Sequence, residues 1–180
     1  MEYVVKAVDR DRKEHKTPDF LRLNPAGAVP VIVNADDVSG SPVVLAQSGA
    51  ILLYLAELSG RFLPADGAQR WSVLQAFMQV MTDVNPTASV RFILNKSVQA
   101  NAETTELIHR RLVNFLTYCD QMLARNRYLA GDMSIADIAL YPVYKTHEAV
   151  ADGETGLSNL KAWAQAMGND PVVAKGMAVI

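Results

Sequence analysis

Hydrophobic positions change their rhythm about a third of the way along the chain. Up to about residue 60, short apolar runs alternate with polar stretches: "YVVKAVD" at 3–9, "VPVIVN" at 29–34 and "PVVLA" at 42–46. Runs of this length rich in β-branched residues predict strands. The turn residues of "ADDVSGS" predict a hairpin joining the second run to the third. Residues 9–16 are charged and mixed in sign, and predict a solvated loop. "TPDFLRLN" then predicts a short helix, with Thr17 as N-cap, Pro18 at the first position and a stop before Pro25. "QSGAILLYLAELSG" predicts a longer helix. Ser48 caps it, Ile51, Tyr54, Leu55 and Leu58 share a face, and Gly60 ends it in the left-handed conformation.

From about residue 68 the strand signals vanish. Trp71, Leu74, Phe77, Met78 and Met81 recur at three- and four-residue spacing and predict an amphipathic helix, bent or interrupted at Pro86. Leu112, Phe115, Leu116, Cys119, Met122 and Leu123 predict a second helix. Ile135, Ile138 and Ala139, running on toward Tyr144, predict a third, and "LSNLKAWAQAM" a fourth. "GRFLPADG" has the Pro and Gly of a linker. The reading is an α/β unit over 1–62 joined to an all-helical domain over 68–180.

Composition narrows the function classes. The chain has 180 residues, half of them hydrophobic and a fifth charged, with a net charge of −2. This is a globular composition. Without a lysine- or arginine-rich block, a nucleic-acid or membrane-surface partner gains no support. The longest apolar run, "GAILLYLA", is too short to span a bilayer. The single cysteine, Cys119, excludes an internal disulfide and a Cys-rich zinc site, and fits a reducing, cytoplasmic setting.

Three stretches carry candidate chemistry. In "LNPAGAVPVIV", Pro30 stands inside a strand signal although proline cannot donate to a ladder. Either a trans proline opens an edge strand, or a cis bond makes a tight turn that frees the Val29 main chain for another partner. In "QSGA", Ser48 either caps its helix or joins the helix N-terminus and Gln47 in holding an anionic, amino-acid-like end. In "SIAD", Ser134 and Asp137 match a capping box, and structure is the better reading. Cys119 and Tyr3 read as packing. His15, His109 and His147 lack metal-ligand spacing. Arg91 is either a surface arginine or a contact for an anionic ligand.

The ordered set "F-L-x-L-N-P-x-G-x-V-P-V", "Q-S-x-A-I-x-x-Y-L" and "G-D-x-S-I-A-D-I-A-L-Y-P" resembles the cytosolic glutathione S-transferases, as does the tail "LKAWAQAMGNDPVVAKGM". The resemblance implies a thioredoxin-like N-terminal domain, a helical C-terminal bundle and a homodimer in the cytoplasm. It implies a cis Val29–Pro30 bond, with the Val29 main chain pairing the cysteinyl part of glutathione as an added strand would. Gln47 and Ser48 would hold the γ-glutamyl end. The implied reaction is conjugation of the glutathione thiolate to a small apolar electrophile, bound near the helices starting around residues 71 and 102, or a glutathione-dependent reduction. No metal is implied.

The motifs enter that family's order at its second strand. The resemblance therefore implies an incomplete thioredoxin-like domain, lacking the first strand and helix. That piece supplies the Tyr, Ser or Cys that lowers the thiol pKa, so the catalytic residue is unknown and no position here takes the role. It also implies an open gap in the sheet, with residues 1–16 the least secure part of the fold. The alternative function is a non-catalytic glutathione-binding or dimerisation scaffold.

Overall fold

A computed structural model describes residues 2–35, 40–97, 99 and 101–178. The chain divides into two compact units, Met1–Leu58 and Ser59–Ile180.

The first unit is built on one β-hairpin. Strands β1 (Val31–Asn34) and β2 (Val43–Ala46) pair antiparallel, with Val31 opposite Ala46 and Asn34 opposite Val43. Part of the expected turn, 36–39, lies outside the described residues. Helix α1 (Pro18–Leu23) forms as its sequence predicts. The Thr17 hydroxyl accepts from the Phe20 N–H, Pro18 occupies the first turn, and the helix stops at Asn24, one residue before Pro25. Helix α2 (Ser48–Ser59) follows β2 directly and ends at Gly60, whose φ of 63° suits a residue without a Cβ. Asn34 Nδ2 donates to the Tyr54 hydroxyl at 2.7 Å, which ties β1 to α2. Ile51 and Ala56 are the buried residues of α2, whereas Leu58, expected on the inner face, is exposed.

One further expectation for this unit needs correction. "YVVKAVD" is not a strand. Among the described residues the sheet contains β1 and β2 alone, so the segment has no ladder to join, and Tyr3 and Val4 stay 74% and 86% exposed. Apolar alternation makes a strand only where a neighbouring strand satisfies its N–H and C=O groups. The charged stretch after it is a loop, as expected, that closes in a single 3₁₀ turn at Glu14–Lys16. Amide hydrogen exchange is expected to be fast at residues 2–8 and slow across the core of the second unit; equal protection in the monomer would contradict the exposed placement.

The second unit is helical. Helix α3 (Gly67–Gln79) runs into a π-helical turn, Val80–Val84, and then into α4 (Asn85–Lys96), with Pro86 in its first turn. The expected interruption is therefore a widened turn, with Pro86 just after it and the helix continuing through both. The buried face of α3 also differs from expectation: Val73, Ala76 and Phe77 are buried, but Trp71 is 70% exposed.

Helix α5 (Ala102–Leu123) buries Leu112, Leu116, Cys119 and Leu123 as its spacing predicts. Helices α6 (Ile135–Thr146), α7 (Glu148–Gly153), α8 (Ser158–Asn169) and α9 (Pro171–Met177) complete the unit. Fully enclosed side chains such as Leu112, Leu140, Leu160 and Met167 each stabilise it by about 1.5–3 kcal/mol. Among the described residues, no helix is long and apolar enough to cross a membrane.

Two buried carboxylates join these helices. The capping box at the start of α6 is present, with Ser134 and Asp137 bonding reciprocally. Asp137 does more than cap: its Oδ1 also accepts from Leu129 N and from Trp163 Nε1, each at 3.0 Å. Burial pushes the Asp137 carboxyl above its ordinary range, against the four hydrogen bonds that pull it down. Asp120 on α5 plays a matching part. Its Oδ1 accepts from Leu160 N at 2.8 Å and its Oδ2 from Asn159 Nδ2 at 2.9 Å, so one helix satisfies the open first turn of another.

Candidate glutathione site

The hairpin register brings the first two candidate stretches together. The ladder closes with Val31 opposite Ala46. One step beyond that pair stand Pro30 and Gln47; two steps beyond stand Val29 and Ser48. The four candidate residues thus flank the last ladder pair, at the end of the hairpin where β1 begins and β2 gives way to α2.

Each has a distinct local geometry. The Val29–Pro30 bond is cis. The ladder begins at Val31, so the Val29 N–H and carbonyl lie outside it, and the residue is 44% exposed. Gln47 has a φ of 74°, a left-handed conformation that β-carbon sterics disfavour. Its carbonyl accepts from Ile51 N at 3.0 Å, the first bond of the helix. Gln47 therefore holds the cap position expected for Ser48, and Ser48 sits in the first turn, partly buried. The left-handed residue lets the chain leave β2 and enter α2 within one step. The first-turn N–H groups of a helix have no partner inside it, and its dipole favours a negative charge there.

The loop leading to Val29 is held by a residue that the sequence reading left without a role. Asn24 is buried. Its Oδ1 accepts from Ala26 N at 3.1 Å and its Nδ2 donates to the Ala28 carbonyl at 2.7 Å. Gly27 is buried at a φ of 58°, and a Cβ there would stand 2.7 Å from Lys16 Nζ and 3.0 Å from the His15 carbonyl. Lys16 Nζ donates to the Gly27 carbonyl at 2.9 Å. The signal for Asn24 was the Asn-Pro-x-Gly order, since asparagine readily bonds the backbone two residues on.

The remaining candidates have other surroundings. Tyr3 is exposed rather than packed. Cys119 is buried in the helical unit, where burial first, and then the charges of Asp137 and Asp120, push its thiol up to about 12. It stays protonated at neutral pH and is a packing residue, as expected. His147 is enclosed with its two ring nitrogens facing the carbonyls of Val143 and Ala88. Arg91 is half-buried, and its Nε has no hydrogen-bond partner. Among the described residues no His, Cys, Asp and Glu are grouped so as to hold a metal.

Comparison with known families gives two matches. The glutathione S-transferase N-terminal domain matches residues 1–57, and the glutathione S-transferase C-terminal domain matches residues 83–177, more than half of the chain. The chain belongs to the glutathione S-transferase family. Its halves are accordingly a thioredoxin-like domain with a small sheet and a helical C-terminal domain. A glutathione S-transferase of Xanthomonas campestris is 35% identical over 167 residues, spanning 87% of this chain and 78% of that protein. The disulfide-bond oxidoreductase YfcG of Escherichia coli is 31% identical over 148 residues, 79% of this chain and 67% of that one. Among solved structures, a glutathione transferase from Burkholderia graminis has two glutathione molecules bound per subunit. It is 28% identical, with a TM-score of 0.89 over 98% of this chain and 77% of that one.

Proposed function

We propose that this member of the family binds glutathione at the open end of its hairpin and uses it as co-substrate. The Val29 main chain pairs with the cysteinyl residue as an added strand does, and Pro30 shapes the turn that presents it. Gln47, Ser48 and the first-turn N–H groups of α2 take the γ-glutamyl end, whose carboxylate suits a helix N-terminus. The observation that supports this reading is the register: its last pair, Val31 with Ala46, joins the residue that follows Pro30 to the residue that precedes Gln47.

Calorimetric titration with glutathione tests it. Ser48→Ala removes one charge-assisted hydrogen bond, and the Kd is expected to rise about tenfold, about 1.4 kcal/mol. Gln47→Gly is expected to act in opposite directions on two readouts. Relief of the left-handed residue keeps the melting temperature at or above the parent's, while loss of the side chain weakens glutathione about tenfold. Parent-like Kd values in both variants would rule the site out.

Two reactions fit a thiolate held there. In conjugation, the sulfur attacks an electrophilic carbon of a small apolar molecule and expels its leaving group. In disulfide reduction, the sulfur attacks one sulfur of a disulfide and releases the other as thiolate; a second glutathione then resolves the mixed disulfide to glutathione disulfide. The name of the Escherichia coli relative favours the second reaction; that of the Xanthomonas relative favours the first. Parallel assays with a generic electrophile and with a small disulfide separate them. Background rates in both, with binding retained, would favour a glutathione-binding scaffold. In the enzyme reading the protein is a cytoplasmic homodimer that detoxifies electrophiles, and the thiol-activating group is none of the four residues above.

A further inference from the structure

We infer that Asn24 is a positioning residue for the bound tripeptide, acting through the main chain that leads to Val29. The inference rests on the glutathione-binding reading. Asn24 touches no part of the proposed ligand site, yet its amide group spans the loop that ends there. Oδ1 accepts from Ala26 N and Nδ2 donates to the carbonyl of Ala28, the residue immediately before Val29. The Asn24 main chain is anchored too: its N–H donates to the Phe20 carbonyl at 2.9 Å, and its own carbonyl accepts from Gly27 N at 2.8 Å. One buried side chain thus connects the C-terminal end of α1 to the peptide unit between Ala28 and Val29.

That peptide unit is the one that matters. Its carbonyl belongs to Ala28 and its N–H belongs to Val29, so fixing the Ala28 oxygen fixes the direction of the Val29 N–H across a planar bond. A ligand read through main-chain groups gains affinity when those groups are already aimed. The loop has a second restraint on its outer side, where Lys16 Nζ holds the Gly27 carbonyl and leaves no room for a side chain at Gly27. This restraint stops one residue short of Ala28, so the aim of the Val29 N–H depends on Asn24.

Serine separates positioning from folding. In Asn24→Ser a short hydroxyl can still accept from Ala26 N, as serine does in such turns, but it does not extend to the Ala28 carbonyl. Asn24→Ala removes both bonds. Glutathione Kd is measured by calorimetry on the full chain, beside melting temperature and far-ultraviolet circular dichroism. The expected result is a five- to twentyfold rise in Kd for both variants, with Asn24→Ser melting closer to the parent than Asn24→Ala does. Weakened binding then follows the lost bridge to Ala28 and not the loss of stability. Should Asn24→Ala fail to fold, Asn24→Ser alone decides. Parent-like affinity in Asn24→Ser overturns the inference while leaving the glutathione site intact, provided Ser48→Ala still weakens binding. Absence of glutathione binding by the parent protein overturns the site itself, and this inference with it.

Discussion

Asp137→Ala is expected to cost the helical unit about 3–5 kcal/mol in urea or thermal unfolding. The substitution strands the N–H groups of Leu129 and Ser134 and the indole N–H of Trp163, all of which bond this carboxylate. An orphaned buried donor costs about 1–3 kcal/mol, and partial relaxation keeps the sum below the simple total. The pH dependence has a definite sign. Burial raises the folded-state value of this carboxyl above its unfolded one, so its contribution is fully present below the ordinary carboxylate range. That contribution fades as pH rises through the raised value. The gap between parent and variant is therefore widest in acid and narrows toward neutrality. A loss under about 1 kcal/mol, or a gap that widens with pH, would contradict this account.

Phe77→Ala is expected to cost a similar amount, about 3–5 kcal/mol, because a large ring leaves a cavity that its neighbours only partly fill. Phe77 is 0% exposed and lies on α3 within one turn of the π-helical segment. Trp71→Ala, on the same helix, is expected to change stability by less than about 0.5 kcal/mol, since that ring is mostly in solvent. Denaturant titrations of the two variants side by side check the contrast. Comparable losses would place Trp71 in the core.

The Trp71 and Phe77 pair also shows what the chain discloses about itself. Periodic spacing marks α3 as a helix, but apolar residues occur all around it, so spacing alone does not choose the buried face; neighbouring helices do. Features set within a few residues were legible: the Thr17 cap, the Ser134 and Asp137 box, the Gly60 stop, and the hairpin with its helix. Features that need a distant partner were not. "YVVKAVD" has strand composition, yet no described strand lies beside it. The Trp163 bond to Asp137 and the Asp120 support of α8 join residues far apart in sequence. At the candidate site, the motifs named Val29, Pro30, Gln47 and Ser48, but that they flank one ladder pair, Val31 with Ala46, follows from the register. Sequence also set the helix cap one residue late, because a left-handed glutamine is rare enough that propensity argues against it.

The partners of Asp120 and Asp137 have a consequence for truncation. Both carboxylates draw a donor from α8, through Leu160 N and Trp163 Nε1, and α8 follows α5 and α6 in the chain. Without it, burying either charge would forfeit hydration without full replacement. A chain cut short before α8 would therefore leave both carboxylates short of donors that the complete bundle gives them.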